Sequence, residues 1–288
     1  MKTQCQYAGL LILLSMLLAA GCHKQSPDSP SPSPRLITYS PALTRIVFDM
    51  GLGDHVVGVT HFCQLPPGQQ RPRIGDNLNV QVEPILSVHP DIILAQIAEK
   101  NFAPLRQINS AIRIENFRFD NLQDIAFAMQ RIGEIVNQPE IGNQARQNFL
   151  QKLVQVRQRV ADLPKRRVIF VIDYKAPSGA GRNTFVHEMI ERANGLNLLA
   201  ADYDLWKKIS LEKILTLDPE VLICHAEKNQ SEETLRYWQD LNFAGGKKTR
   251  VYVVTDPDWL IPAGHLAEYT MQLAQMIHPE LSPPEAQP

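Results

Sequence analysis

Among the side chains of types suited to holding a small solute are Trp206, Arg182, His61 and His225. A tryptophan on a cleft loop gives a large contact area for little loss of conformational entropy. A histidine ring nitrogen can ligate a metal, either free or within a chelate. The planar fork of an arginine suits the paired oxygens of a carboxylate or phosphate group. These residue types favour recognition of a solute over covalent chemistry.

Familiar catalytic motifs are missing from the sequence. It contains no Gly-x-Ser-x-Gly and no His-Glu-x-x-His. The glycine-containing loop 178–181 lacks the third glycine and the Lys-Ser/Thr ending of a phosphate loop. Asp256 and Asp258 form a carboxylate pair, but acids ahead of a helix usually cap it or face solvent. We therefore expect a binding protein and not an enzyme.

Charge and length narrow the class further. The 288 residues carry a net charge of −1, and no segment gathers Lys and Arg. Nucleic acid is not an expected partner, because phosphate binding needs a concentrated basic surface. The length suits one large domain or two of ordinary size.

The first 22 residues are typical of a targeting segment. Lys2 precedes an apolar stretch from Ala8 to Ala20, which is shorter than the roughly 20 residues needed to span a bilayer as a helix. The ending Leu-Leu-Ala-Ala-Gly-Cys resembles a bacterial lipoprotein signal, which implies Cys22 as the lipidated first residue of the mature chain. An ordinary signal peptide with an incidental cysteine is the alternative.

Residues 23–35 are rich in Pro and Ser and cannot build a core. In extended polyproline geometry they would reach roughly 40 Å, which predicts a tether that holds a folded body away from a membrane. The tail 279–288 is similarly Pro-rich and predicted to be loose.

From residue 36 the chain alternates short β-rich runs with helical stretches, the pattern of an α/β fold. Residues 36–39, 56–60 and 92–95 are predicted strands. Ser40 is a predicted N-cap with Pro41 at the first helical position.

An internal repeat indicates two similar lobes. Residues 82–94 and 211–223 each read as a helix with an early Glu, a Pro, and an apolar strand. Between the copies, the apolar spacing of 141–163 predicts one amphipathic helix that ends at Pro164 and joins the lobes. The predicted organisation is a signal peptide 1–22, a tether 23–35, a first lobe 36–138, a linking helix 139–164, a second lobe 165–278 with a final helix, and a tail 279–288.

Ligands of open α/β sheets gather where strands end at their carboxyl edge. Applied to the predicted strands and loops of both lobes, this rule gives the candidate ligand-binding residues Ser40, His61, Phe62, Asn77, Gln96, Tyr174, Arg182, Trp206, His225 and Trp259.

Several motifs, in this order, resemble one known family. They are residues 39–44, 57–60, 62–67, 83–95, 184–191 and 206–212. Together they resemble the periplasmic binding proteins of ABC importers, in the helical-backbone class that carries cobalamin, ferric siderophores and haem. The resemblance runs from about 36 to 278.

The resemblance implies a class III fold, with two Rossmann-like α/β lobes joined by one long helix and a ligand between them. It also implies capture of a corrinoid or an Fe(III) chelate, no intrinsic cofactor, and delivery to a permease and its ATPase. We expect a lipid-anchored monomer in the bacterial cell envelope.

Family members dock on the permease through one acidic residue on each lobe. In the first lobe this acid follows Ser-Pro-x-x-Thr, where this sequence has Arg45. Asp49, one turn later, is a possible substitute. In the second lobe Glu191 fits the pattern, with Glu188 as the alternative.

Other interpretations stay open. Trp206 lies where cobalamin binders place a tryptophan, whereas Asn77 and Gln96 lie where such binders often carry further ones. A Zn²⁺ or Mn²⁺ carrier of the same architecture would use His61, His225 and Asp256.

A lipoprotein that senses or binds a partner without transport, or that has acquired hydrolytic activity, is a third possibility. Cys63 and Cys224 are expected to be separate buried thiols, because a disulfide between the lobes would oppose ligand exchange.

Overall fold

The structure is a computed structural model that describes residues 33–76, 80–245 and 248–281. The predictions for the signal peptide, for Cys22, for most of the tether, for Asn77 and for the tail beyond 281 lie outside these residues. Within the described residues, no helix combines the length and the apolar character that a membrane crossing requires.

The first half of the chain, residues 36–138, holds a four-stranded parallel sheet. Its strands are β1 (Leu36–Tyr39), β2 (Val56–Val59), β3 (Ile92–Ala95) and β4 (Arg113–Asn116), in the order β2-β1-β3-β4. Strands β1 and β3 are buried throughout and wholly apolar or nearly so, as expected of central strands covered on both faces. Because all four strands run the same way, their carboxyl ends form a single edge.

Helices cover this sheet. They are α1 (Pro41–Asp49), α2 (Val82–Ser87), α3 (Ala103–Ile108) and α4 (Leu122–Ile135). Helix α1 begins as predicted: the Ser40 side chain accepts a hydrogen bond from the Leu43 amide, and Pro41 occupies the first turn.

A single long helix, α5 (Pro139–Arg159), leads from the first half to the second half, residues 165–278. Its 21 residues extend about 32 Å. The helix ends a few residues before the predicted Pro164, because Val160 already leaves helical geometry as the C-cap.

The second half holds a mixed sheet. Its strands are β5 (Arg166–Ile172), β6 (Ser178–Ala180), β7 (Gly195–Asn197), β8 (Trp206–Lys208), β9 (Val221–His225) and β10 (Arg250–Val254), and its helices are α6 (Phe185–Arg192), α7 (Leu211–Leu217), α8 (Ser231–Gln239) and α9 (Leu266–Ile277). The strand order is β10-β9-β5-β6-β8, with β7 paired to β5. Strand β6 is antiparallel to both of its neighbours.

The two repeat units adopt matching structures. Helix α2 and strand β3 flank Pro90, and helix α7 and strand β9 flank Pro219. The residues before these prolines, His89 and Asp218, both have positive φ, at 44° and 48°. The two repeat units therefore share an unusual backbone conformation before the proline. The strand of each unit belongs to a different sheet.

One apolar core runs through both halves. It includes Ile46 from α1, Phe149 from the linking helix, Phe170 from β5 and Leu266 from α9. Two smaller cores cover the outer faces of the sheets. Because α5 is packed into the shared core at Phe149, Leu153 and Val156, it is a stiff connection. The exact lobe boundaries remain predictions.

Candidate ligand-binding site

The carboxyl edge of the first sheet carries several of the predicted ligand residues. His61 and Phe62 follow β2, and Gln96 follows β3; all three are exposed. The Phe62 side chain is 63% exposed, unusual for an aromatic group. Ser40 is only 1% exposed and its hydroxyl caps α1, so its contact with a ligand stays a prediction.

A cavity of about 490 Å³ lies where the first half meets the second, and we call it the groove. Its volume is in the range of small-molecule sites. Its lining residues are Asp120 and Asn121 from the first half, and Asn183, His187, Glu188, Asp204 and Leu205 from the second.

The start of helix α4 fixes the first-half wall of the groove. Asn121 is the N-cap, and its side chain accepts a hydrogen bond from the Asp124 amide at 2.9 Å. The Asp124 carboxylate accepts in turn from the amides of Asn121 and Asp120. This capping box holds the Asp120 and Asn121 backbone rigidly at the rim.

The start of helix α6 fixes the opposite wall. The Thr184 side chain accepts from the His187 amide at 3.1 Å and donates to the Gly181 carbonyl at 2.8 Å. The Asn197 amide nitrogen lies 3.3 Å from Nδ1 of His187 and donates to Ala180 at 2.8 Å. His187 is thereby held at the groove, which the sequence pattern did not reveal.

Glu188 joins the two walls. Its carboxylate accepts a hydrogen bond from the Leu122 backbone amide at 2.9 Å, in the first turn of α4. A carboxylate at a helix N-terminus is stabilised by the unpaired amides and the helix dipole. This contact argues against Glu188 as a docking residue, because its charge is already engaged across the groove.

The groove is acidic. Three of its lining side chains are carboxylates, two are amides, and among the described lining residues none is Lys or Arg. The Asn183 amide donates to Asp204 at 2.8 Å, and Arg118 lies 3.9 Å from Asp120. Such a lining accepts hydrogen bonds from a neutral or cationic solute and repels an anionic one.

Trp206 and Trp259 pack against the same phenylalanine of β5. The Trp206 ring meets Phe170 edge to face at 6.3 Å and stays partly exposed, directly after the groove residue Leu205. Trp259 is 3% exposed and stacks on Tyr269 at 4.8 Å. In this structure Trp206 is available to a ligand, whereas Trp259 belongs to the core.

Because strand β6 runs antiparallel to β5, the second-half candidates do not all lie at the carboxyl edge of the sheet, where the sequence-based prediction placed them. Ser178 lies opposite Ile172, the last residue of β5, so the chain beyond Ala180 runs away from the carboxyl edge. Arg182 and Trp206 therefore lie farther down the sheet than His225, because Trp206 pairs with Ala180. Short antiparallel strands of this kind leave little trace in a sequence.

Tyr174 and His225 do lie at that edge. Tyr174 is 4% exposed and its ring packs on Tyr237 at 5.2 Å, so it is part of a core and not of an open surface. His225 is half-buried, with Nε2 lying 3.2 Å from the Asp256 carbonyl oxygen. Burial lowers the pKa of His225, which favours the neutral ring.

The structure does not assemble the metal site predicted for a Zn²⁺ or Mn²⁺ carrier. The Asp256 carboxylate accepts from the Tyr269 hydroxyl and from the Asp258 amide, and it is the Asp256 carbonyl that meets His225. The described part of the chain holds no cluster of three His, Cys, Asp or Glu side chains arranged for a metal ion. Proximity at strand ends did not bring His61, His225 and Asp256 together.

Arg45 joins the halves at a second point. Its Nε lies 2.8 Å from Asp49 on the same helix, and its Nη1 lies 2.7 Å from Asp258 of the second half. Asp49 is thus paired, and burial raises its pKa against the opposing charge of Arg45. Glu191 is partly exposed and 3.3 Å from Lys165.

A larger cavity of about 710 Å³ lies elsewhere, between α8 and β10 at the outer edge of the second sheet. All its lining residues come from the second half, from Trp238 to Tyr252. We place the candidate site in the groove because its lining takes residues from both halves of the chain, among them residues that follow strands β4 and β6.

Cys63 and Cys224 are separate buried thiols, as predicted. Burial raises the pKa of Cys224 to about 12. Neither thiol is positioned to react readily.

Comparisons with known proteins agree with this architecture. A family model described as periplasmic binding protein matches residues 36–276. The vitamin B12-binding protein of Vibrio cholerae is 25% identical over 235 residues, which cover 80% of this chain and 84% of the relative. That of Yersinia pseudotuberculosis is 26% identical over 207 residues, covering 71% and 74%.

Two solved structures show the same fold. The periplasmic heme-binding protein RhuT of Roseiflexus has a TM-score of 0.73 at 20% identity, covering 87% of this chain and 100% of that protein. The periplasmic vitamin B12-binding protein BtuF of Vibrio cholerae has a TM-score of 0.73 at 23% identity, covering 88% and 99%. These similarities confirm an α/β fold of two lobes joined by one long helix.

Proposed function

Because the chain belongs to the periplasmic binding protein family, we propose that it is the solute-binding component of an ABC importer and holds its solute in the groove. The family is one of binding proteins, and we propose that this chain likewise has no catalytic activity. The groove supports the assignment because it takes residues from both halves of the chain.

We propose that the solute is a corrinoid such as cobalamin, with an iron chelate as the second candidate. The observation that carries this choice is the acidic, amide-containing lining of the groove. A corrinoid bears peripheral amides, which donate hydrogen bonds to carboxylates. Haem bears two propionate carboxylates, which the same lining would repel. The similarity to vitamin B12-binding proteins points the same way.

The remaining parts of the transport cycle are proposals of the same kind. We propose that lipidation at Cys22 anchors the protein in the cell envelope, and that the protein works as a monomer. Glu191 is our proposed contact with the permease, because it is partly exposed and its carboxylate pairs with an exposed lysine, Lys165. The permease and its ATPase would complete the importer.

Isothermal titration of the purified full-length protein with cobalamin, with haem and with a ferric siderophore tests the function. We expect saturable binding of cobalamin at a stoichiometry of one, and at least about tenfold weaker binding of haem. Tighter binding of haem than of cobalamin would contradict the corrinoid assignment. Failure of all three solutes to bind would contradict the carrier function itself.

A further inference from the structure

Two short turns on the second-half wall are locked together, and we call them the paired turns: residues 181–184 and 203–206. The Arg182 amide donates to the Tyr203 carbonyl at 3.0 Å, and the Leu205 amide donates to the Arg182 carbonyl at 2.8 Å. The Gly181 amide donates to the Leu205 carbonyl at 2.9 Å. A Cβ at Gly181 would lie 2.3 Å from the Tyr203 oxygen, so only glycine permits this approach.

Leu205 is held by these bonds in a conformation that leucine rarely adopts. Its φ is +58°, in the left-handed region, where an L-residue with a Cβ is strained by about 1 kcal/mol or more. Asn183 in the facing turn also has φ of +58°, but asparagine tolerates this region and its side chain bonds to Asp204.

Burial does not compensate the strain at Leu205. Its side chain is 47% exposed, and it is the one apolar side chain among the described residues that line the groove. The next residue is Trp206, whose ring is also partly exposed. The paired turns therefore hold an apolar surface inside a polar, acidic cavity. Strained residues of this kind concentrate at ligand-binding sites.

We propose that Leu205 is a specificity-determining residue that contacts an apolar face of the bound solute, next to Trp206. This inference rests on the proposed function, because it assumes that the groove is the solute site. The carboxylates and amides would then bind the polar periphery of the solute, while Leu205 contacts its ring or side-chain hydrocarbon. The strain at Leu205 would be retained for binding and not for stability.

Substitution Leu205→Asn separates these two roles. Asparagine accepts the left-handed backbone, so the thermal unfolding midpoint should rise by about 2 °C. The lost apolar contact should weaken cobalamin binding about fivefold to tenfold, as measured by isothermal titration. A conservative variant, Leu205→Met, should bind within about twofold of the native protein, because it keeps the apolar surface.

His89→Asn is the matched control. His89 is exposed and also has positive φ, at 44°, but it lies at the end of helix α2, outside the groove lining. It should raise the unfolding midpoint less than Leu205→Asn does, because histidine already tolerates positive φ, and it should leave binding unchanged.

Three results would overturn the inference. Native-like binding by Leu205→Asn would show that Leu205 makes no useful contact. A lowered unfolding midpoint in that variant would show a structural role instead. Absence of binding of cobalamin, haem and siderophore by the native protein would remove the proposed function, and this inference with it.

Discussion

At the scale of single residues, we expect the groove carboxylates to act through the charge they present to the proposed solute. Asp120 is the most accessible to test, because its carboxylate is about half exposed and its described ion pair, with Arg118 at 3.9 Å, is a long one. Its backbone amide, and not its side chain, takes part in the cap of α4. A substitution there changes the charge of the groove with little effect on the fold.

We predict that Asp120→Lys weakens cobalamin binding about fivefold, because a hydrogen-bond acceptor is lost. The same change should strengthen haem binding by about tenfold, because a negative charge near the propionates becomes positive. Isothermal titration of both ligands gives the two affinities. Asp162→Lys, at an exposed acid just beyond the linking helix, should change neither. Equal effects from both variants would mean that net charge, and not the groove, governs selection.

We expect His225 to make the free energy of unfolding depend on pH. Burial lowers the pKa of His225 below its ordinary value of 6.5, and it lowers the pKa of His278 in the same direction. Below pH 6.5 the unfolded chain therefore binds more protons at these two histidines than the folded one does, so their contribution to the free energy of unfolding falls as the pH falls.

We predict a lower denaturant midpoint at pH 5.5 than at pH 7.5, with a smaller difference in His225→Gln. Urea unfolding at the two pH values measures both. A His61→Gln variant serves as the exposed control, and a pH dependence that is identical in all three proteins would contradict the role of His225.

Residue types alone identified only part of this site. Trp206 and Arg182 were recognisable as aromatic and planar-cation groups near strand ends, and both lie on the paired turns beside the groove. Leu205 was missed because the role we propose for it depends on its positive φ, and a sequence does not show the backbone angle of a leucine. Ser40 was recognised correctly as a helix cap, whereas its contact with a ligand stays a prediction.

At the scale of elements, helices α4 and α5 approach each other through glycine. A Cβ at Gly142 would lie 2.6 Å from the Met129 carbonyl oxygen and 3.0 Å from the Gly133 Cα. Both obstacles are backbone atoms, which cannot move without separating the helices. The start of the linking helix is thus fixed against the helix whose N-terminus forms one wall of the groove.

We predict that Gly142→Ala lowers the free energy of unfolding by about 2 kcal/mol, because overpacking outweighs the better helix propensity of alanine. Gln144→Ala, an exposed position of the same helix, should be neutral or slightly stabilising. Equilibrium urea unfolding gives both values. A stabilised Gly142→Ala would mean that the two helices separate easily.

The elements that the sequence predicted well are those with a strong local signal. Strands β1, β3 and β9 are largely apolar runs, and a proline follows α2 and α7 at the matching place of each repeat unit. Strands β6 and β8 have three residues each, and their pairing joins segments about 28 residues apart. Their register depends on long-range contacts such as the close approach of Gly181, which no local pattern encodes.

At the scale of the whole molecule, the two halves are joined by charge as well as by the shared core. Arg45 bonds to Asp258 of the second half, and Glu188 of the second half bonds to the start of α4. The resemblance described above implies a docking acid at the position of Arg45. Here the arginine pairs with both Asp49 and Asp258, so the nearby acid Asp49 is already engaged in an ion pair.

Docking should therefore depend more heavily on the second half. We predict that Glu191→Lys reduces uptake of radiolabelled cobalamin by cells more than about tenfold, while the dissociation constant of the purified protein changes less than twofold. The reason is that the Glu191 carboxylate, in the last turn of helix α6, pairs with the exposed Lys165, and Glu191 is not among the residues that line the groove. Asp49→Asn should leave uptake within about twofold of the native level, because Arg45 already neutralises that carboxylate. If Asp49→Asn abolished uptake and Glu191→Lys did not, the first half would carry the docking contact, and the ion pairs of Arg45 would have to open when the permease is met.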